Sequence, residues 1–90
     1  MQDSKKVIRF KKAVGKIIRN IRMNKANISI NRMALEFDFD RGNLSKTERG
    51  IYGIQLITAW RIAEALGIKL SDFVLLLEKE LGEDFTLIDE

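Results

Sequence analysis

Apolar residues recur at three- and four-residue steps in five separate stretches of this chain. The first holds Val7, Phe10, Val14, Ile17, Ile18 and Ile21. That spacing puts them on one face and predicts a helix from Lys5 to Lys25. Lys5, Lys12, Lys16 and Arg19 fall mostly off the stripe, and Asp3 or Ser4 is placed to cap it. A short second helix is predicted over 30–37, with Ser29 as its cap and Ile30, Met33, Ala34 and Phe37 facing inward. Asp38-Phe39-Asp40 reads as a turn. Asp40 then caps a third helix from Arg41 to Arg49, because its carboxylate accepts a bond from an unpaired first-turn amide. Gly50 ends that helix by taking a left-handed conformation. A fourth helix is predicted from Ile54 to Leu66, with Leu56, Ala59, Trp60, Ala63 and Leu66 as its core stripe and Gly67 as its stop. On this reading Trp60 is a core residue. The fifth runs from Leu70 to just before Gly82, with Leu70, Phe73, Val74, Leu77 and Leu81 on one face.

Five helices in 90 residues make one all-α domain over 1–82, with an extended first helix and an acidic tail over 83–90. An apolar content of 46% with no proline favours a helical bundle over a turn-rich β fold. No apolar run is long enough for a membrane span, and the charged N-terminus is unlike a secretory signal. The absence of cysteine is compatible with a reducing, cytoplasmic setting and excludes a cysteine-based metal site or disulfide frame.

Charge is distributed unevenly. Residues 1–50 carry 13 Lys/Arg against 5 Asp/Glu, a balance of +8, whereas residues 51–90 carry 3 against 8, a balance of −5. A basic first half suits a polyanion. An enzyme is not expected: there is no histidine for a triad base, no cysteine nucleophile and no phosphate-cradling glycine motif. The acids Glu83, Asp84, Asp89 and Glu90 lack calcium-loop spacing, so neither a metal nor a cofactor is expected.

The segment Ser29 to Gly50, SINRMALEFDFDRGNLSKTERG, joins two short helices by a tight turn and places basic and amide side chains on the outer face of the second. Around it stand Val14-Gly15, Ile18-Arg19 and Ile21-Arg22 before, and Ile62 to Ile68 followed by Leu70-Ser71-Asp72-Phe73 after. In this order and spacing, over about residues 14–77, the chain resembles the Cro and repressor-like helix-turn-helix proteins, the XRE family. It departs from the family pattern at Ile30, where glutamine is usual, at Asp38 for glycine, at Thr47 for an apolar residue and at Ile54 for proline. The loop before the second helix is one residue longer.

The resemblance implies a five-helix, lambda-repressor-like domain that binds double-stranded DNA as a sequence-specific transcriptional regulator. Its third helix would enter the major groove, with Arg41, Gly42, Asn43 and Lys46 at base-reading positions. Arg and Lys donate to guanine, Asn pairs with adenine on two atoms, and Gly42 lets the backbone come close. Phosphate contacts are expected from the amides at Ser29, Ile30 and Asn31, and from Arg49 and Tyr52. Arg22 and Glu48 are expected to form a structural ion pair between the first and third helices. A homodimer is expected because one module reads a short site, with Val74, Leu77, Leu81, Phe85, Leu87 and Ile88 as interface candidates; core packing against the first helix is their alternative use. A second class of function, an antitoxin or protein-interaction adaptor with a toxin or other protein as partner, is suggested by the acidic tail. Membrane binding by the first helix is not expected, since its apolar stripe suits a core.

Overall fold

The computed structural model describes residues 4–88; Asp3, Asp89 and Glu90, considered above as a cap and as acids, lie outside the described residues. The elements are α1 (Lys5–Ile21), a π-helical turn (Arg22–Ala26), α2 (Ile30–Phe37), α3 (Arg41–Glu48), α4 (Leu56–Ala65) and α5 (Leu70–Leu81), with no strand among the described residues.

Helix α1 is the central post. Its stripe Val14, Ile17, Ile18 and Ile21 is buried and packs with Met33 of α2, Leu44 of α3, Ile62 and Ala63 of α4, and Phe73, Leu77 and Leu81 of α5. Ser4 caps α1 by accepting from the Val7 amide at 3.2 Å. Gly15 lies where α1 meets the end of α3. A Cβ there would lie 2.3 Å from the Glu48 carbonyl oxygen and 2.5 Å from that of Thr47, so α1 and the end of α3 touch backbone to backbone.

The α-helical part of α1 stops at Ile21, short of Lys25. The next turn is π-helical and closes on Asn27 in the left-handed region (φ 50°, ψ 50°), with the Ile28 amide donating to the Arg22 carbonyl at 3.1 Å. A π turn holds one more residue per hydrogen bond than an α turn, so this segment carries the chain from α1 toward α2 with a wider turn.

Helix α4 corrects the expected stripe. It begins at Leu56, behind Gln55, while Ile54 remains in the preceding loop, half-buried against the core. Ala59, Ile62, Ala63 and Leu66 are buried, but Leu56 is 69% and Trp60 54% exposed. At about 100° per residue, Leu56 lies just beyond the arc spanned by those four residues and Trp60 well beyond it, on the same side. The helix is apolar over a wider arc than the core covers, so Trp60 is a surface residue.

The tail packs on the first helix. Arg9 donates to the Leu81 carbonyl at 2.8 Å and lies 5.2 Å over the Phe85 ring, which stacks on Phe10 at 6.5 Å. Lys6 donates to Thr86 Oγ1 at 3.0 Å and to the Ile88 carbonyl at 2.9 Å. Residues 83–88 are thereby laid along the start of α1. No helix among the described residues is long and apolar enough to cross a membrane.

Candidate nucleic-acid interface

Three local devices set the angle between α2 and α3. Ser29 accepts from the Arg32 amide at 3.1 Å and Asp40 from the Asn43 amide at 2.8 Å, so each helix starts behind a side-chain cap. Between them Asp38 takes the left-handed conformation, φ 59° and ψ 48°. That is the conformation for which glycine is usual at this turn, and aspartate tolerates it better than most residues. Arg61 reaches across from α4, lies 4.8 Å over the Phe39 ring and donates to the Asp38 carbonyl at 3.2 Å and that of Phe37 at 3.4 Å. It thus satisfies carbonyls left open at the end of α2 and braces the turn.

The inner face of α3 is locked. Leu44 is buried in the core, and Thr47, also buried, satisfies its hydroxyl by donating to the Asn43 carbonyl at 2.8 Å. This internal bond is why a hydroxyl is tolerated at a position that is usually apolar. Glu48 accepts from Arg22 twice, from Nε at 2.7 Å and from Nη2 at 2.9 Å, while Arg22 Nη1 donates to the Ile28 carbonyl at 3.0 Å. Both side chains are largely covered, at 11% and 6% exposure. The carboxylate holds the guanidinium pKa above its ordinary value, chiefly through the hydrogen bond. One arginine in the π turn therefore ties α1, the loop before α2 and the end of α3 together.

The outer face of α3 is open. Arg41, Gly42 and Asn43 are exposed, and Ser45 and Lys46 half-buried. Arg41 Nε donates to Asn31 Oδ1 of α2, leaving the outer edge of its guanidinium unengaged by that bond. Lys46 Nζ donates to Tyr52 Oη at 3.2 Å and lies 5.2 Å from the ring centroid. Ile30 turns toward the core, so only its backbone amide faces the start of α2. Arg49 is exposed just beyond α3.

A chain with these two capped helices, this left-handed turn and this exposed, basic second helix matches a helix-turn-helix family model over residues 18–73. The chain belongs to the helix-turn-helix family, XRE type. Among curated proteins it is 35% identical to the control protein C.BamHI of Bacillus amyloliquefaciens over 60 residues, 67% of this chain and 74% of that one. It is 34% identical to the control protein C.MunI of Mycoplasma sp over 80 residues, 89% of this chain and all of its relative. Among solved structures, the clp gene regulator ClgR from C. glutamicum superposes with a TM-score of 0.73 at 21% identity, covering 83% of this chain and 96% of that one; this likeness concerns the fold alone.

The interface candidates are divided by the structure. Leu77 and Leu81 are buried within the protomer and are corrected to core residues, because α5 turns them onto α1. Phe85 is half-buried against Phe10 and Arg9. Val74, Leu87 and Ile88 remain exposed. The helical stripe did not single out Leu75, 49% exposed, which lines an apolar groove of about 1010 Å³ with Leu56, Val74, Phe85 and Leu87. A second apolar surface formed by Leu56, Ile57 and Trp60 continues from it.

Proposed function

We infer that the protein is a sequence-specific DNA-binding transcriptional regulator that reads the major groove with α3. The observation that carries this is the two-sided character of that helix. One face is fixed by Leu44, Thr47 and Glu48, and the other carries the exposed Arg41 and Asn43 and the half-buried Lys46. Phosphates would be held by the amides at Ser29, Ile30 and Asn31, and by Arg49 and Tyr52, which orient the module without reading sequence. Arg41 and Lys46 would read guanine and Asn43 adenine, with Gly42 allowing close approach. That two relatives are control proteins supports a regulatory role. Regulation would act by occupancy of promoter DNA, in the cytoplasm.

The active form on this reading is a homodimer. A single module presents one short helix, and the surface from Leu87 across Val74 and Leu75 to Leu56 and Trp60 is a large exposed apolar patch for a monomer of this size. A second copy covering it would supply a second reading helix for a second half-site. The tail that suggested a toxin or adaptor as partner lies against its own α1, through Lys6 on Thr86 and Ile88 and Arg9 over Phe85, and no further observation favours that alternative.

The test compares two variants on a set of duplexes. Lys46→Ala is expected to change which sequences are preferred. Arg49→Ala is expected to weaken all sequences alike and to reduce the slope of log affinity against log salt by about one unit. Uniform loss for Lys46→Ala would remove base reading from that residue. Uniform loss for Arg41→Ala and Asn43→Ala as well would remove it from α3.

A further inference from the structure

We propose that Tyr52 is a positioning residue that aims the Lys46 amine at the base edges, so that part of the protein's sequence preference resides in the loop after α3. This rests on the DNA-reading role inferred for that helix. A lysine on a groove-facing helix has many rotamers, and fixing one on binding lowers the affinity it can contribute. Here it is fixed beforehand. The amine donates to Tyr52 Oη at 3.2 Å and lies 5.2 Å from the ring centroid, at the hydroxyl end of the phenol, where the hydrogen bond holds it.

The loop is built to keep the phenol there. Gly50, at φ 76°, turns the chain sharply after α3, and its Cα packs so closely on Lys12 of α1 that a Cβ would meet the Lys12 Cα at 2.9 Å. The next two amides, Ile51 and Tyr52, point to the Lys46 carbonyl at 2.9 and 3.5 Å. Tyr52 is thus tied through its backbone to the same residue whose side chain it holds.

The donor count fits the use. An ammonium has three N–H donors, and Tyr52 takes one. Two remain, and guanine offers two acceptors, O6 and N7, on its major-groove edge. The phenol keeps its own O–H for a phosphate oxygen, so a backbone contact and the base-reading group would be joined through one side chain.

A double-mutant cycle tests this. Affinities of wild type, Tyr52→Phe, Lys46→Ala and the double variant are measured on the site selected by wild type and on its single base-pair variants, with thermal melting to confirm folding. The readout is the preference at the base pair where Lys46→Ala loses discrimination. Any phosphate contact weakens all sequences equally and cancels from that ratio. Tyr52→Phe is expected to reduce that preference about 3–10-fold, the size of one net hydrogen bond, and to leave other positions unchanged. In the Lys46→Ala background the same change is expected to alter it by less than about twofold, the limit of additivity. An unchanged preference with Tyr52→Phe, or an equal loss with and without Lys46, overturns the positioning role while leaving α3 as the reader. Failure of wild type to select any site overturns the reading itself, and the positioning role with it.

Discussion

Gly15→Ala sets two principles against each other in one substitution. In the interior of a helix the change is expected to stabilise by about 0.8–1.0 kcal/mol, because alanine is the better helix former. In this fold the new methyl would sit 2.3 Å from the Glu48 carbonyl oxygen, 2.5 Å from that of Thr47 and 2.7 Å from the Glu48 carbonyl carbon. All three are backbone atoms, so no rotamer change relieves the clash. The helices must separate by about 1 Å to restore ordinary contact, which loosens Leu44 in the core and stretches the Arg22–Glu48 pair. Overpacking of this kind costs about 1–3 kcal/mol, and an immobile backbone places it at the upper end. The net expectation is a loss of about 2 kcal/mol after the propensity gain is subtracted. Urea unfolding should show a lower midpoint with an unchanged slope, and the melting temperature should fall by roughly 8–16 °C. Equal or higher stability for Gly15→Ala would refute the close approach of α1 to α3.

Three further outcomes are expected. Arg22→Ala should destabilise by about 3–5 kcal/mol, because it leaves the covered Glu48 carboxylate without its partner; replacing both residues by apolar ones of similar volume should recover much of the loss, as denaturant titration of the variants would show. Asp38→Gly should stabilise by about 0.5–1 kcal/mol, the left-handed strain of about 1–2 less the flexibility penalty of glycine, and a lower denaturation midpoint would contradict the conformation assigned to the turn. Leu75→Glu should leave the melting temperature of the protomer near its starting value while sedimentation shows a shift to monomer; a dimer that persists places the interface elsewhere.

Much of the scaffold is legible in the sequence because it rests on local physics. The α1 stripe, Ser29 and Asp40 before short apolar patterns, and Gly50 after one, each state a boundary through periodicity or hydrogen-bond chemistry within a few residues. Asp38 is legible as a substitute for glycine only through the family resemblance, which marks the turn position as one that favours a left-handed backbone. What escapes is set by tertiary neighbours. The apolar arc of α4 runs through Ala59, Ala63, Leu56 and Trp60, and periodicity cannot say which edge of that arc the core leaves uncovered. The Gly15 approach depends on a carbonyl 33 positions later in the chain. Arg61, which braces the turn from α4, and Tyr52, which holds Lys46, carry no local signal beyond being an arginine on a helix surface and an aromatic in a loop. Only the family resemblance pairs Arg22 with Glu48, since a separation of 26 residues implies no contact by itself.

The central claim is that the outer face of α3 reads DNA sequence, two copies at a time. Selection of binding sites from random duplex DNA, followed by affinity measurements across a range of salt, tests it most directly. The account predicts an enriched, two-fold-symmetric site with half-sites about 34 Å apart, bound far more tightly than bulk duplex at the same salt. No enriched sequence, with only weak and steeply salt-dependent binding, would contradict it and reduce the basic face to a non-specific contact.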